Sequence, residues 1–272
     1  MVEKEKGDWS KAPQENRNEI YDIAMEAGHI LLQNGAEISR VEETMERICR
    51  YYGENKADFF VLSNGIFTTG GYEAKKSYAK VRHIPVSGAR LDKVVAVNQL
   101  SREIEEGKYE STVAVWKELE RISHMPDNKN RQRILASGIG SGFFCVLAGG
   151  CFQDCIAAFI AGVVLYIYVV FLSEKYLSKI LGNIFGGAII VAVCVLCLKV
   201  NIGQHLENVI SGAIMPMVPG VAFANGIRDI ADGDYISGAV RLLDAILRFL
   251  CIAIGVGAAF TIYHGLTGGV ML

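Results

Sequence analysis

The chain has 272 residues, is 51% apolar, carries 27 basic against 29 acidic residues and has a mean hydropathy of +0.28. Residues 1–133 hold 21 basic and 22 acidic positions, residues 134–272 only 6 and 7. That asymmetry excludes a single water-soluble globule, and the near-neutral first half excludes a strongly basic nucleic-acid binder.

The first twenty residues are polar and lack the apolar stretch of about 7–15 residues that a secretory signal needs, so none is expected there. Glu15–Asn34 and Glu37–Gly53 read as amphipathic helices separated by Gly35, the second with an apolar stripe at Ile38, Val41, Met45, Ile48 and Tyr52. Asp58–Leu62, Ile66–Thr69 and Ser77–Ile84 are β-rich, with Asn64-Gly65 and Gly70-Gly71 as turn signals. Arg90–Glu106 and Thr112–Ile122 read as helices. The order α-α-β-β-β-α-α predicts a small soluble α+β domain over residues 1–129. Catalytic signals in it are weak: His29, His83 and His124 share no metal-ligand spacing, and Ser63 and Ser87 lack a nucleophile-elbow context. Glu37, Arg40, Glu42 and Glu43 read as a solvated, charge-rich helix start, its acidic residues suiting the helix dipole. No phosphate-binding loop is present, which argues against direct ATP drive.

The linker Pro126–Arg133 ends this domain. After it come runs free of Asp, Glu, Lys and Arg: Ile134–Gln153, Cys155–Ser173, Ile180–Leu198, Asn208–Ile227 and Phe249–Leu272. About 20 mostly apolar residues span a bilayer as helix, and open sheet is excluded there by unpaired backbone groups. The expectation is an all-α polytopic membrane domain of five transmembrane helices over residues 130–272. The fifth starts near Ala239 if Asp244 and Arg248 lie inside it, or near Phe249 if they do not. Placing the first half in the cytoplasm puts Lys129, Arg131, Arg133, Lys175, Lys179, Arg228 and Arg241 on inner flanks and only Lys199 outside. That bias predicts a cytoplasmic N-terminus and a C-terminus on the outer side.

Gly138 and Gly142, and likewise Gly182 and Gly186, sit four apart and allow close helix approach, read as intramolecular packing with a homo-oligomer contact as the alternative. Of seven cysteines, six lie in the apolar half, which argues against a disulfide framework; Cys194 and Cys197 read as small buried hydrophobes. Asp154 is placed at the outer rim. Two constellations stand out. Pro216-Met-Val-Pro219-Gly220 should break helix four, since proline removes a backbone donor, and broken helices line solute cavities in transporters. The alternative is a kink satisfied by neighbouring helices. Arg241, Asp244 and Arg248 share one face of helix five, where a mid-bilayer charge must face protein or a water-filled cavity. The alternative is a paired cluster at the interface.

The run Leu31–Met45, the run Pro85–Lys93, Pro216–Gly220, Asn225-Gly-Ile-Arg-Asp229 and Asp234–Gly238 with Arg241 together resemble the threonine/serine exporter family, over about Asn18 to Ala259. The resemblance implies a cytoplasmic domain joined to five membrane helices and export of small hydrophilic metabolites, without enzymatic activity or a cofactor. Threonine and serine are the named substrates, and succinate is associated with some split members. Long members carry a further small membrane domain; this chain resembles the larger subunit of the split form, which works with a separate small membrane subunit. On this reading the solute binds near Pro216, Pro219 and Gly220, with Asn225 as donor and acceptor and Arg228 or Arg248 meeting a carboxylate. Asp229 or Asp244 carries a coupling proton or balances an arginine. An amino acid and a dicarboxylate both suit an arginine. The rivals are a membrane-anchored enzyme and a sensor subunit that gates a partner.

Overall fold

The computed structural model describes residues 14–55, 57–70, 78–85, 88–109 and 111–267. Gly71, Ser77, Ser87 and the first thirteen residues, on which parts of the reading above rest, lie outside them. The described chain divides into two compact units. One comprises the residues up to Pro126 with Val221–Leu243, the other Asp127–Gly220 with the residues from Asp244 onward.

In the first unit, α1 (Gln14–Gln33) and α2 (Ile38–Tyr51) are joined by four residues. Gly35 sits at φ +84°, the left-handed conformation that glycine adopts without a Cβ penalty. The N–H groups of Gly35 and Ala36 return to the carbonyls of Leu32 and Leu31 at 3.2 and 3.0 Å. This is a Schellman end, which satisfies carbonyls that helix termination orphans. In α2, Ile38, Val41, Met45 and Ile48 are buried at steps of three and four, the stripe expected from the sequence.

The strands β1 (Asp58–Leu62), β2 (Gly65–Gly70) and β3 (Tyr78–His83) form an antiparallel sheet in that order. The pairing of Leu62 with Gly65 puts the hairpin loop at Ser63-Asn64, one residue before the expected turn. Val61, Ile66 and Thr68 face the core, and Gly70 leaves room for the Tyr21 ring, which an added Cβ would meet at 2.5 Å. Helices α3 (Leu91–Glu105) and α4 (Thr112–Ser123) complete the core with Val97, Leu100, Ile104, Val115, Leu119 and Ile122. The unit also takes in α10 (Gly220–Ala231), from Val221, and the start of α11 (Tyr235–Thr267). These two approach closely at glycines: an added Cβ on Gly238 would lie 2.8 Å from the Gly226 carbonyl.

The second unit contains α5 (Asn130–Leu147), α6 (Phe152–Tyr168), a π-helical turn (Val169–Ser173), α7 (Glu174–Tyr176), α8 (Lys179–Lys199) and α9 (Leu206–Ile214). A 3₁₀ turn at Met215–Met217 follows, then the rest of α11. Among the described residues, three helices are long and apolar enough to cross a membrane: Phe152–Tyr176, Lys179–Lys199 and Tyr235–Leu266. The pair Leu206–Met217 and Gly220–Ala231 makes a fourth if it counts as one broken span. The expected count of five is therefore not reached on length and composition. α5, which opens with Asn130, Arg131, Gln132 and Arg133, is not among them.

Helix five takes in Asp244 and Arg248, as the earlier of the two expected starts requires, and begins a turn before Ala239. α11 starts at Tyr235 and continues without interruption to Thr267. Its charges do not break it, because Asp244 and Arg248 pair with each other at 2.7 Å one turn apart, whereas Arg241 pairs with Asp229. The glycines pack within the chain, as read. An added Cβ on Gly138 would meet Val163 and Phe159 at 2.6 and 2.9 Å, and one on Gly186 would meet Met217 at 2.6 Å.

Candidate functional site

The start of α2 leaves backbone N–H groups without an intrahelical partner, and Glu37 at its N-cap makes no side-chain cap. A distant residue fills the gap: the Ile38 N–H donates to Asp229 Oδ1 at 3.1 Å. A carboxylate is favoured there by both the free donor and the helix dipole. The rest of the loop is engaged in the same way. Asn225 Nδ2 donates to the Gly35 carbonyl at 2.7 Å and Arg241 Nη2 to the Ala36 carbonyl at 2.9 Å. Arg228 pairs with Glu37 at 2.8 Å, and Ser39 Oγ donates to Asp232 at 3.1 Å. Arg241 Nη1 and Asp229 Oδ2 form an ion pair at 2.9 Å, with the Asp229 side chain fully buried. Asn225, Arg228 and Asp229 are thus brought together with Arg241, but their partners are backbone and side chains of residues 35–39.

The charge-rich start of α2 is only partly a solvated face. Glu43 is exposed and pairs with Arg47, but Glu37 holds Arg228 and Glu42 accepts from the Val61 N–H at 3.2 Å. Burial pushes the Glu42 carboxyl above the ordinary carboxylate range, with Asp234 and Glu46 adding to it and the Val61 bond opposing. The folded state therefore binds this proton more tightly than the unfolded chain. Stability from this group is lost as pH rises from the unfolded value of about 4.3 through the raised folded value, and is level above it. Thermal unfolding of the full chain and of Glu42→Gln, compared across that interval, should show the variant gaining relative to the parent as pH rises. Parallel curves would disprove the assignment.

In the second unit Asp154, at the start of α6, is fully buried. Its carboxylate accepts the N–H groups of Cys151, Gln204 and His205 at 3.0, 2.6 and 3.0 Å, and lies 2.9 Å from His205 Nδ1. It caps α6 and ties the segment before α9 to it. Cys151, Asp154 and His205 also place three ligand-type atoms within 4.8 Å of one another. The four contacts to Asp154 use the lone pairs a cation would need, so the cluster reads as a staple. Cys194 and Cys197 are buried free thiols, as expected of small hydrophobes.

The prolines do break the helix. Pro216 lies in the 3₁₀ turn, and Val218, at the end of that turn, has extended backbone. Beside this break is a cavity of about 590 Å³, lined among others by Asn128, Gln132, Arg133, Ser137, Tyr166 and Pro216. Its size lies within the roughly 300–1,000 Å³ of small-molecule sites. Arg133 Nη2 is 2.5 Å from Glu174 Oε1 and 3.5 Å from the Tyr166 hydroxyl, with its guanidinium carbon 5.4 Å from the Tyr166 ring centre. Ser137 Oγ donates to the Gly162 carbonyl at 2.9 Å. Of the residues expected at a site, Pro216 lines the cavity, while Pro219 and Gly220 follow the break and are absent from its lining. Arg248 and Asp244 form their own pair on α11. Sequence reasoning took Arg133 for a topology anchor only. Its one distinguishing signal was a position one turn inside an apolar helix.

Two comparisons bear on this arrangement. The chain is 24% identical over 245 residues to the threonine/serine exporter of Corynebacterium glutamicum, an alignment covering 88% of this chain and 50% of that protein. The chain thus spans about half the length of the curated relative it matches. No solved structure matches it. The threonine/serine exporter family matches over residues 22–263, which takes in the loop at 35–39, the break at Pro216 and the Asn225–Arg241 cluster, and the chain belongs to that family.

Proposed function

We propose that this chain is the larger subunit of a secondary exporter for threonine- and serine-like amino acids, resident in the cell membrane with its N-terminus in the cytoplasm. The observation that carries the reading is the cavity beside the proline break, in a chain whose family is the threonine/serine exporters. Carbonyls and amides freed by a broken helix, together with convergent polar side chains, are the means by which such folds hold a hydrophilic solute. On this reading residues 1–129 form the cytoplasmic domain, and α5, α6, α8, the α9–α10 pair and α11 are the five membrane helices. The basic flanks at Lys129–Arg133 and Lys175–Lys179 favour that orientation. Asn225, Arg228, Asp229 and Arg241 hold the α1–α2 loop, and the solute is met at the cavity.

A separate small membrane subunit completes the transporter on this proposal, as the resemblance to the split form of the family implies. The test is counterflow of labelled threonine, serine and succinate in liposomes holding this chain with and without a candidate small subunit. Saturable threonine or serine uptake is the expected result. Uptake of none of the three with both subunits present would refute the proposal. Arg248→Ala is expected to reduce export only modestly, because Arg248 pairs with Asp244 and does not line the cavity. Complete loss of export with normal membrane levels would move the solute site to α11.

A further inference from the structure

We infer that the Arg133–Glu174 ion pair is a latch on the cavity beside Pro216, and that the π-helical turn after α6 sets its register. This goes beyond the exporter reading, since it concerns access to the cavity and not what the cavity holds. α5 lines the cavity with one face: Arg133, Ser137, Gly140 and Phe144 follow at steps of four, three and four. Arg133, in the first turn of α5, stands near one end of that face, and Gly140 lies about 10 Å of helix further along. The Arg133 guanidinium reaches across to Tyr166 on α6, which also lines the cavity, and to both carboxylate oxygens of Glu174, at 2.5 and 3.4 Å. Glu174 stands outside the lining and acts on the cavity through Arg133.

The backbone is built for this contact. Tyr166 and Glu174 are eight residues apart, and at about 100° per residue a regular α-helix would point them about 80° apart. Between them Val169–Ser173 forms the π-helical turn, which takes in one extra residue. Eight positions then cover the two turns that seven cover in an α-helix, and Tyr166 and Glu174 return to one face within roughly 20°. Both can meet one guanidinium for that reason. The turn is seated on α8 at both ends. The Tyr168 hydroxyl donates to the Gly182 carbonyl at 3.1 Å, and Ser173 Oγ occupies the space that a Cβ on Gly182 would need.

The pair is also able to let go. The Arg133 and Glu174 side chains are 29% and 43% exposed, and an ion pair that water can reach exchanges its partner for solvent at little cost. Closed, the arginine bridges α5 and α6 across the end of the cavity nearest Asn128 and Gln132. Released, its long side chain swings into water, and the path along the α5 face to Gly140 widens.

The test is alkylation of Gly140→Cys by iodoacetamide, a small neutral reagent, in the full chain in lipid nanodiscs. An added Cβ at Gly140 has nothing within 4 Å, so the reporter thiol fits on the cavity face. Tandem mass spectrometry assigns the label residue by residue and makes Cys151, at the N-cap of α6 and outside the lining, the internal reference. Added to the reporter, Glu174→Gln and Arg133→Gln should each raise its rate about tenfold or more with Cys151 unchanged, because the reaction samples the open fraction. The exchanged pair, Arg133→Glu with Glu174→Arg, should bring the rate back to within about threefold of the parent. Removal of Leu172, which returns the π-helical turn to regular helix, should act like Glu174→Gln. An unchanged reporter rate in Glu174→Gln overturns the latch, whatever the melting temperature of the variant. A rate that rises equally at Cys151, or stays high in the exchanged pair, overturns it in favour of a general loosening of the fold. The exporter reading is judged separately, by counterflow with both subunits.

Discussion

Arg241→Ala is expected to cost about 3–5 kcal/mol of stability, the range for breaking a buried ion pair from one side. The reason is local. Asp229 is fully buried, and its carboxylate has two supports: the Ile38 N–H at 3.1 Å and the Arg241 guanidinium at 2.9 Å. Removing the arginine leaves a buried negative charge with one backbone donor and also strips the Ala36 carbonyl of its partner. Thermal unfolding in detergent should show a large loss and expression should fall. Adding Asp229→Asn should recover part of it, because an amide oxygen still accepts from Ile38 without carrying charge. If Arg241→Ala is instead as stable as the parent but inactive in export, the cluster handles solute rather than holding the α1–α2 loop.

The second large effect is at Gly255, where even alanine is too big. A Cβ there would lie 2.0 Å from the Ile184 carbonyl oxygen and 2.8 Å from its carbonyl carbon. Those are backbone atoms of α8, so no side-chain rotation relieves the clash and the helices must separate. Gly187 faces the same seam: its Cβ would lie 2.6 Å from the Ile252 carbonyl. Small residues on both sides let the two backbones approach, and dispersion contacts across such seams are a main source of helix association in lipid. Gly255→Ala should therefore cost at least the roughly 1–3 kcal/mol of ordinary overpacking. Gly257, two residues on, has nothing within 4 Å of its would-be Cβ, so Gly257→Ala is the matched control and should be tolerated. Equal stability of the two variants would mean that α8 and α11 do not meet as described.

Much of the fold was legible because its causes are local. The strand at Asp58–Leu62 has the bounds expected from its β-rich run, and α3 and α4 fall within one residue of expectation. Period, turn residues and caps act over a few positions, and all were readable along the chain. The break at Pro216 was legible for the same reason, since a proline's missing donor is a property of the residue itself. The start of α11 was not. Charges at Arg241, Asp244 and Arg248 argue for an interface only if they are unpaired, and their pairing depends on a residue from α10 and on the one-turn spacing realised in the helix.

The glycines divide along the same line. Their four-residue spacings pointed to close packing at Gly138 and Gly186, which the structure contains. The tightest of the seams described, Gly187 with Gly255, has no such repeat because its members come from different helices. The candidate site follows suit. Asn225, Arg228 and Asp229 stood out as polar residues in an apolar segment, yet their partners lie about 190 positions away in the chain. Arg133 looked like a flanking charge until its neighbours from other helices placed it on a cavity.

By itself, then, the sequence determined which segments are helix and strand, where the polar half ends, where a membrane helix must break and which family the chain resembles. The first three follow from composition and spacing within a few turns, the last from motifs spread along the chain. Only the tertiary structure decided which charge neutralises which, and which arginine faces open volume. A buried charge or a free N–H must find a partner, but that requirement leaves the partner's identity to the folded geometry.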